Sequence, residues 1–407
     1  MRRRALPIVF AVLISTVGEI TVGAGQTSPQ PAKGSPAPVK AAPMADMAFY
    51  LARGEADACG RACNEWIAAE GKIDASAAQR LRRLLAKLGH HRPPIFFHSP
   101  GGSITGSLAL GRLIRGEKLV AGVARTIPRG CDRDNFHDET CDALKRSGKE
   151  LKSEFDTDIT MCNSGCVYAL IGGTARLVPP WVKLGIHDVG LDPEKTTPRS
   201  ASLAEVKRAA HVRILEYVRD MGIDKALLTA ASAVPNESMR LLERDELARF
   251  GIDRREFGET VWHFADKPTV AISKRFFVRT DNGDQPRYRN GYVRLDCRPG
   301  REIGLTFAQQ RDSSDQKSAD LLPLRIDANG QRVILRYQIP WRQFDVYSTS
   351  LPADVFDFVS RGANIKVSGI NQARNDGSAV SVTLSMDGFS DVSVKLRKSC
   401  DESARNA

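Results

Sequence analysis

Apolar and polar residues follow two different periods along the chain. Between about residues 46 and 265, short apolar runs alternate with amphipathic stretches; from about 268 the two kinds of residue alternate nearly one by one. In the first part, Ser76 to Leu88 predicts a helix: Leu81, Leu84, Leu85 and Leu88 share a stripe, Ser76 and Gln79 suit a capping box, and Gly89 is a stop signal. Pro94 to His98 and Leu119 to Ala124 predict strands. The helix between them starts after Gly101 and Gly102 and carries Ile104, Leu108 and Ile114. Pro128 to Thr157 is polar and charged and reads as an insertion rather than core. Beyond it the pattern predicts an apolar helix over Cys166 to Ile171, strands over Ala175 to Val178 and Lys183 to His187, and a helix from Ser202 to Met221. That last helix has a Ser202/Glu205 capping box and Gly222 past its end.

The later segments VAISKRFFV, YVRLDC, IGLTFA, RVILRYQI, NIKVSGI and AVSVTLSM are separated by Gly, Asn and Asp. They predict a separate all-β domain, a sandwich or barrel, over 268–407. No motif in it carries chemistry. The α/β domain is expected over 46–267. Residues 25–45 are rich in Pro, Ala, Ser and Gly and read as a linker with too little apolar surface to offset the entropy of ordering.

Residues 1–24 bear on the compartment. Arg2, Arg3 and Arg4 precede an apolar stretch of 14 residues from Ala5 to Gly18, and Val22-Gly23-Ala24 is a small-residue cleavage site, the pattern of a signal peptide. Interrupted by Pro7 and stopped by Glu19, the stretch falls short of the roughly 20 residues that span a bilayer. Secretion, most simply to a bacterial periplasm, is therefore expected, with no stable membrane span after cleavage. Removing three Arg and one Glu would lower the formal charge from +11 to +9. The basic residues are scattered rather than gathered into an arm, so no nucleic-acid partner is expected.

An oxidising compartment makes disulfides the first expectation for the eight cysteines, at 59, 63, 131, 141, 162, 166, 297 and 400. Cys297 and Cys400 stand alone in the β domain and are paired. The other six leave 15 connectivities open. Cys59, Cys63, Cys162 and Cys166 could instead form a four-thiolate zinc site, but the spacing lacks the tighter knuckle form and the compartment disfavours free thiolates; no metal or cofactor is expected. His90-His91 reads as solvent-facing, and Lys207, Arg208 and Arg213 as the solvated face of their helix.

Three fragments bear on chemistry: Phe97-His98-Ser99-Pro100-Gly101-Gly102-Ser103, then Cys162-Asn163-Ser164-Gly165-Cys166, then Leu184-Gly185-Ile186-His187-Asp188. The glycines of the first let backbone N–H groups approach a ligand. Ser164 heads an apolar helix, where it serves either as a nucleophile beside the Gly165 N–H or as an ordinary N-cap. His187, at a strand end, suits a general base or a packed surface residue.

In order and spacing these fragments resemble the Clp protease proteolytic subunit and its wider Clp/crotonase superfamily, especially secreted, cysteine-bearing members. The resemblance covers roughly residues 90 to 265. It implies a Clp/crotonase-like βαβ spiral core, Ser164 as nucleophile, His187 as general base, and the N–H groups of Gly102 and Gly165 as the oxyanion hole. The family's acidic position falls at Met239; Asn236 and Glu237 are its polar neighbours and the candidate orienting residues, while Asp188 should face away from His187. Oligomerisation as a homo-oligomer is implied by resemblance alone. The expected function is a secreted serine hydrolase acting on a peptide or protein. The alternatives are an inactive scaffold or binding module of the same fold and, less suited to a secreted chain, a crotonase-like enolate chemistry.

Overall fold

The computed structural model describes residues 44–133, 138–190, 202–266, 269–280, 285–298, 302–311, 323–369 and 381–406. Residues 1–24, read above as a signal peptide, and all but the last two residues of 25–45, read as a linker, lie outside them. Residues from Met44 onward form one compact unit.

Its first part is mixed α/β. Strands β1 (Ala48–Arg53) and β2 (Glu65–Glu70) are followed by helix α1 (Ala77–Leu88), β3 (Ile95–His98), α2 (Ile104–Gly116), β4 (Ala121–Val123) and β5 (Arg125–Pro128). Next come α3 (Glu139–Lys145), β6 (Leu151–Asp156), β7 (Cys162–Asn163), α4 (Gly165–Leu170), β8 (Arg176–Leu177), β9 (Leu184–Ile186), α5 (Leu203–Asp220), α6 (Ala226–Ser232), β10 (Arg240–Leu242) and α7 (Arg244–Arg249). Seven strands form one sheet in the order β5-β6-β1-β2-β3-β4-β8, and three form a second, β10-β9-β7. Strands β2, β3, β4 and β8 are mutually parallel, the arrangement that intervening helices permit.

Alternation decides which side chains go where. Ile67, Ala69, Ile95 and Phe97 face α1, α2 and α4 in the main core, whereas Trp66, Ala68 and Phe96 face a second core with Tyr50 and Leu151. Both faces of the sheet are buried, so its central strands read as continuous apolar runs. The capping box of α5 forms as the sequence predicts. Ser76, in contrast, makes no side-chain cap; its own backbone N–H donates to Asp74 Oδ1 at 2.7 Å.

The segment 128–157 is not an insertion throughout. Its end, β6, lies inside the large sheet, parallel to β1 and antiparallel to β5. Hydropathy concealed it because only two of its six residues, Leu151 and Asp156, are buried, and one of the two is ionic. Asp156 accepts from Arg125 at 2.6 Å with both side chains almost fully buried, and Lys145 pairs with the buried Glu70 at 3.1 Å.

A ten-stranded antiparallel sheet fills the C-terminal part. It runs β11 (Phe257–Glu259), β12 (His263–Ala265), β13 (Ala271–Arg279), β14 (Tyr288–Cys297), β15 (Ile303–Gln310), β16 (Leu324–Ala328), β17 (Gln331–Trp341), β18 (Phe344–Leu351), β19 (Asn364–Gly369) and β20 (Ser381–Ser385). The sheet therefore begins at Phe257, upstream of the boundary that the change of period suggests. It is nearly closed: on β20, the Ser385 amide and hydroxyl both donate to the Glu259 carboxylate on β11. Lys274, buried between them, donates to the Ser385 carbonyl and hydroxyl, each at 2.8 Å, and pairs with Glu259. The expectation of an all-β domain is corrected by two helices, α8 (Ala353–Ser360) and α9 (Phe389–Asn406). Phe389, Val392, Leu396 and Cys400 recur at helical spacing and pack on the sheet core, a period that the strand-like reading of the region hid.

Four disulfides are present: Cys59–Cys63, Cys131–Cys141, Cys162–Cys166 and Cys297–Cys400. The last is the pairing expected from the sequence. The first and third separate the four sulfurs of the alternative zinc site into two bridges.

Candidate active site

The three chemistry-bearing fragments meet where the two sheets of the first part join. Ser99, just past β3, bridges to Cys162, and β7 then pairs in parallel with β9, Asn163 opposite Gly185. The Ser164 amide donates to the Gly185 carbonyl at 2.7 Å. His187 stands two residues past Gly185, just beyond the end of β9, so residues 164 and 187, far apart in sequence, lie at the same end of one strand pair.

Ser164 occupies the corner between β7 and α4 with φ 52° and ψ −122°. That is a glycine-favouring region, costing a residue with a side chain about 1–3 kcal/mol. A sharp, strained strand-to-helix turn is also how a nucleophilic serine is displayed on other folds. The N-cap reading is not realised, because the Ser164 side chain makes no capping hydrogen bond. Its half-buried hydroxyl makes no hydrogen bond to His187 or to any other group among the described residues.

The Pro-Gly-Gly turn wraps this corner. The Gly101 amide donates to Ser99 Oγ at 3.1 Å, Ile73 donates to the Gly101 carbonyl at 2.8 Å, and Ser103 donates to Ile73 at 2.7 Å. Gly101 has φ +99°, and a Cβ there would lie 2.7 Å from the Ser164 Cβ and 2.9 Å from the Gly165 nitrogen. Gly102 has φ +144°, and its own Cβ would strike the Ile73 carbonyl at 2.1 Å. Glycine is required at both positions by conformation and by space. The Gly102 nitrogen is 3.2 Å from the place a Cβ on Gly165 would take, so these two backbones touch. Neither amide donates a hydrogen bond among the described residues. Two such donors side by side next to a hydroxyl form the arrangement that can hold a developing oxyanion.

The His187 ring is held by main chain. Its Nδ1 lies 2.7 Å from the Asp188 carbonyl oxygen. A carbonyl only accepts, so Nδ1 carries the proton and, in the neutral ring, Nε2 is left with the lone pair a base needs. Asn236 and Glu237 do not orient the ring: both are exposed, and neither is hydrogen-bonded to it. Asn236 packs against Gly190 instead. The antiparallel register of β10 on β9, Arg240 opposite Ile186, carries Met239 to the place opposite His187. A thioether therefore stands at the position where the family resemblance calls for an acid.

Asp188 faces away, as alternation requires. It accepts from His211 Nε2 at 2.8 Å and from Lys207 on α5, and its own Oδ1 accepts from the Val189 amide. Burial alone would raise its carboxyl, but the Lys207 and His211 contacts outweigh that and hold it below the usual carboxylate range. Lys207 thus pairs with Asp188 while its side chain stays 43% exposed, and Arg208 and Arg213 are exposed as well. The spacing of Lys207 and His211, one helical turn apart, was the available signal for this clamp.

Sequence reasoning also missed a cleft of about 500 Å³ beside Asn163. Asn163, Gly185 and Leu241 form one cross-strand row on its side of the sheet, and His187 and Met239 form the next row on the same face. Trp181 and Met161 add apolar lining, and Arg275 reaches in from β13, paired with Asp158 at 2.7 Å and lying 4.6 Å over the Trp181 ring. His98, one residue before the turn, is buried and packs from behind: its Nδ1 accepts from the Met161 amide at 3.2 Å.

No family model matches the chain, and no curated protein matches it. Among solved structures it is similar to a ClpP1 point mutant from Listeria monocytogenes, with 14% identity and a TM-score of 0.30, over 46% of this chain and 88% of that one. No helix among the described residues is long and apolar enough to cross a membrane.

Proposed function

We propose that the protein is a serine hydrolase of Clp/crotonase-like architecture, secreted to the periplasm and acting on a peptide or protein by acyl transfer. The observation that carries this reading is the strained corner at Ser164, set against two amides without acceptors and one strand away from a histidine whose Nδ1 is already occupied. Ser164 attacks the carbonyl carbon of the substrate while His187 Nε2 takes the hydroxyl proton. The carbonyl oxygen gains the charge and is held by the Gly102 and Gly165 N–H groups. His187 then returns the proton to the leaving amine, and water repeats the sequence to free the acid. The cleft, on the same sheet face as His187, receives the substrate. The Asp188 carbonyl replaces the acid of a triad in fixing the tautomer, without supplying its full negative charge. A serine fluorophosphonate probe on the purified mature chain tests the reading: labelling that disappears in Ser164→Ala and falls in His187→Ala supports it, and an unlabelled wild type refutes it.

The inactive scaffold is the second reading, favoured by Met239 at the acid position and by the unmade bond between Ser164 and His187. The same probe separates the two.

A further inference from the structure

The Cys162–Cys166 disulfide encloses the three residues of the proposed nucleophile corner and nothing else. Cys162 is fixed from two sides, bridged to Ser99 and paired with Leu184 of β9. Cys166 lies in the first turn of α4, and both cysteines are fully buried. Between them Ser164 keeps a backbone conformation that side-chain-bearing residues avoid. Such strain persists only where the surroundings over-determine it. Apart from the bridge, the main-chain restraints on the corner are the Asn163 amide to the Ser99 carbonyl at 3.1 Å, the Ser164 amide to Gly185, the Val167 amide to the Ser164 carbonyl at 3.1 Å, and the press of Gly101; the first holds the corner only on its Cys162 side. Relaxing φ of Ser164 toward the ordinary helical or extended region would swing the Cys166 end of the corner away from Cys162. The covalent link forbids this.

We infer that Cys162–Cys166 is a positioning bridge that holds Ser164 Oγ displayed toward His187 and keeps the Gly165 N–H aimed at the oxyanion, so that the site is assembled only in the oxidised chain. The inference rests on the hydrolase reading for its kinetic consequence, but its structural consequence is independent of it. The chain contains its own control. Cys59–Cys63 closes a loop of the same sequence separation, 4 residues, in the turn between β1 and β2. The two bridges restrict the unfolded chain equally in the loop-entropy model. Only one of them surrounds Ser164.

The test compares Cys162→Ala/Cys166→Ala with Cys59→Ala/Cys63→Ala in the full mature chain, produced under oxidising conditions and assayed at 10 °C. The readouts are the fluorophosphonate labelling rate, split into its saturating rate and half-saturating concentration, and amide hydrogen exchange over residues 163–167. The expected result is a 10- to 100-fold fall in the saturating rate in the first variant only, with faster exchange at 163–167 in that variant only. An unchanged labelling rate with unchanged exchange overturns the inference, as does an equal fall in both variants. If the wild type does not label, the hydrolase reading fails, and exchange alone then decides the bridge: unchanged protection at 163–167 overturns it. Should the alanine pair fail to fold, Cys162→Ser/Cys166→Ser, which keeps the side-chain volume, is measured in the same way.

Discussion

Replacing Gly101 by alanine asks whether the Pro-Gly-Gly turn and the Ser164 corner are one machine. At φ +99° an alanine is in a region that costs about 1–3 kcal/mol. The added Cβ meets the Asn163 carbonyl oxygen at 2.5 Å, the Ser164 Cβ at 2.7 Å and the Gly165 nitrogen at 2.9 Å. None of these can retreat by turning a side chain, so overpacking adds roughly 1–3 kcal/mol. Ordinary carbon contacts lie at about 3.5–4.0 Å, so the Ser164 Cβ must move by roughly 1 Å. A misplacement of about that size costs near 10²-fold where reacting groups must align. We expect Gly101→Ala to remain folded by near-UV circular dichroism, to unfold in urea with a stability lower by about 2–6 kcal/mol, and to label with a serine probe about a hundredfold more slowly. Gly116→Ala, at the end of α2 with nothing within 4 Å of the new Cβ, should stay within about 1 kcal/mol of wild type and label normally. Wild-type labelling by Gly101→Ala would refute the claim that this turn and the Ser164 corner act together. An equal loss in the Gly116 variant would show that the effect is not local.

Three further outcomes are expected. Met239→Asp, at a 43% exposed position opposite His187, puts a carboxylate where it can orient the ring and should raise the labelling rate at least several-fold; no change means that the Asp188 carbonyl already suffices. Removing Cys297–Cys400, a separation of 103 residues, should lower stability by up to about 4–5 kcal/mol in chemical unfolding, while a loss below about 1 kcal/mol would contradict the loop-entropy account. Asp253 is buried; burial would raise its carboxyl, but Arg255 and Arg244 draw it down to about 2 from an ordinary 3.8. Because the folded value is the lower one, its contribution, about 2 kcal/mol, is complete above pH about 4 and is lost as pH falls toward about 2; in Asp253→Asn the difference in unfolding free energy between pH 6 and pH 2.5 should shrink by that amount.

What was legible in the sequence was whatever expresses itself as a local period. The helices over 77–88 and 203–220 and most strands of the C-terminal sheet followed from apolar spacing. Strand β6 did not, because it buries only Leu151 and Asp156, and the aspartate is matched to Arg125, a pairing across the fold that leaves no trace in hydropathy. Helix α9 was hidden by its place after a run of strands. At the site, the order of the three fragments was enough to single out Ser164, His187, Gly102 and Gly165 as candidates, whose roles stand as proposals. The main-chain acceptor for His187 was not legible, since a carbonyl belongs to every residue. Nor was the cleft, because Arg275 and Trp181 come from parts of the chain that read as different domains.

Those last two residues set where the molecule can be cut. Trp181, on the connection leading into the His187 strand, packs edge-on against Tyr292 and lies 5.7 Å from Phe344, while Arg244 of α7 stacks 3.7 Å over Phe277. Severing the polypeptide near residue 267, where the period changes, would strip the aromatic cover from both and leave β11 and β12 without β13. The C-terminal sheet is therefore less a cargo carried by the first part of the chain than the far wall of the room beside Asn163.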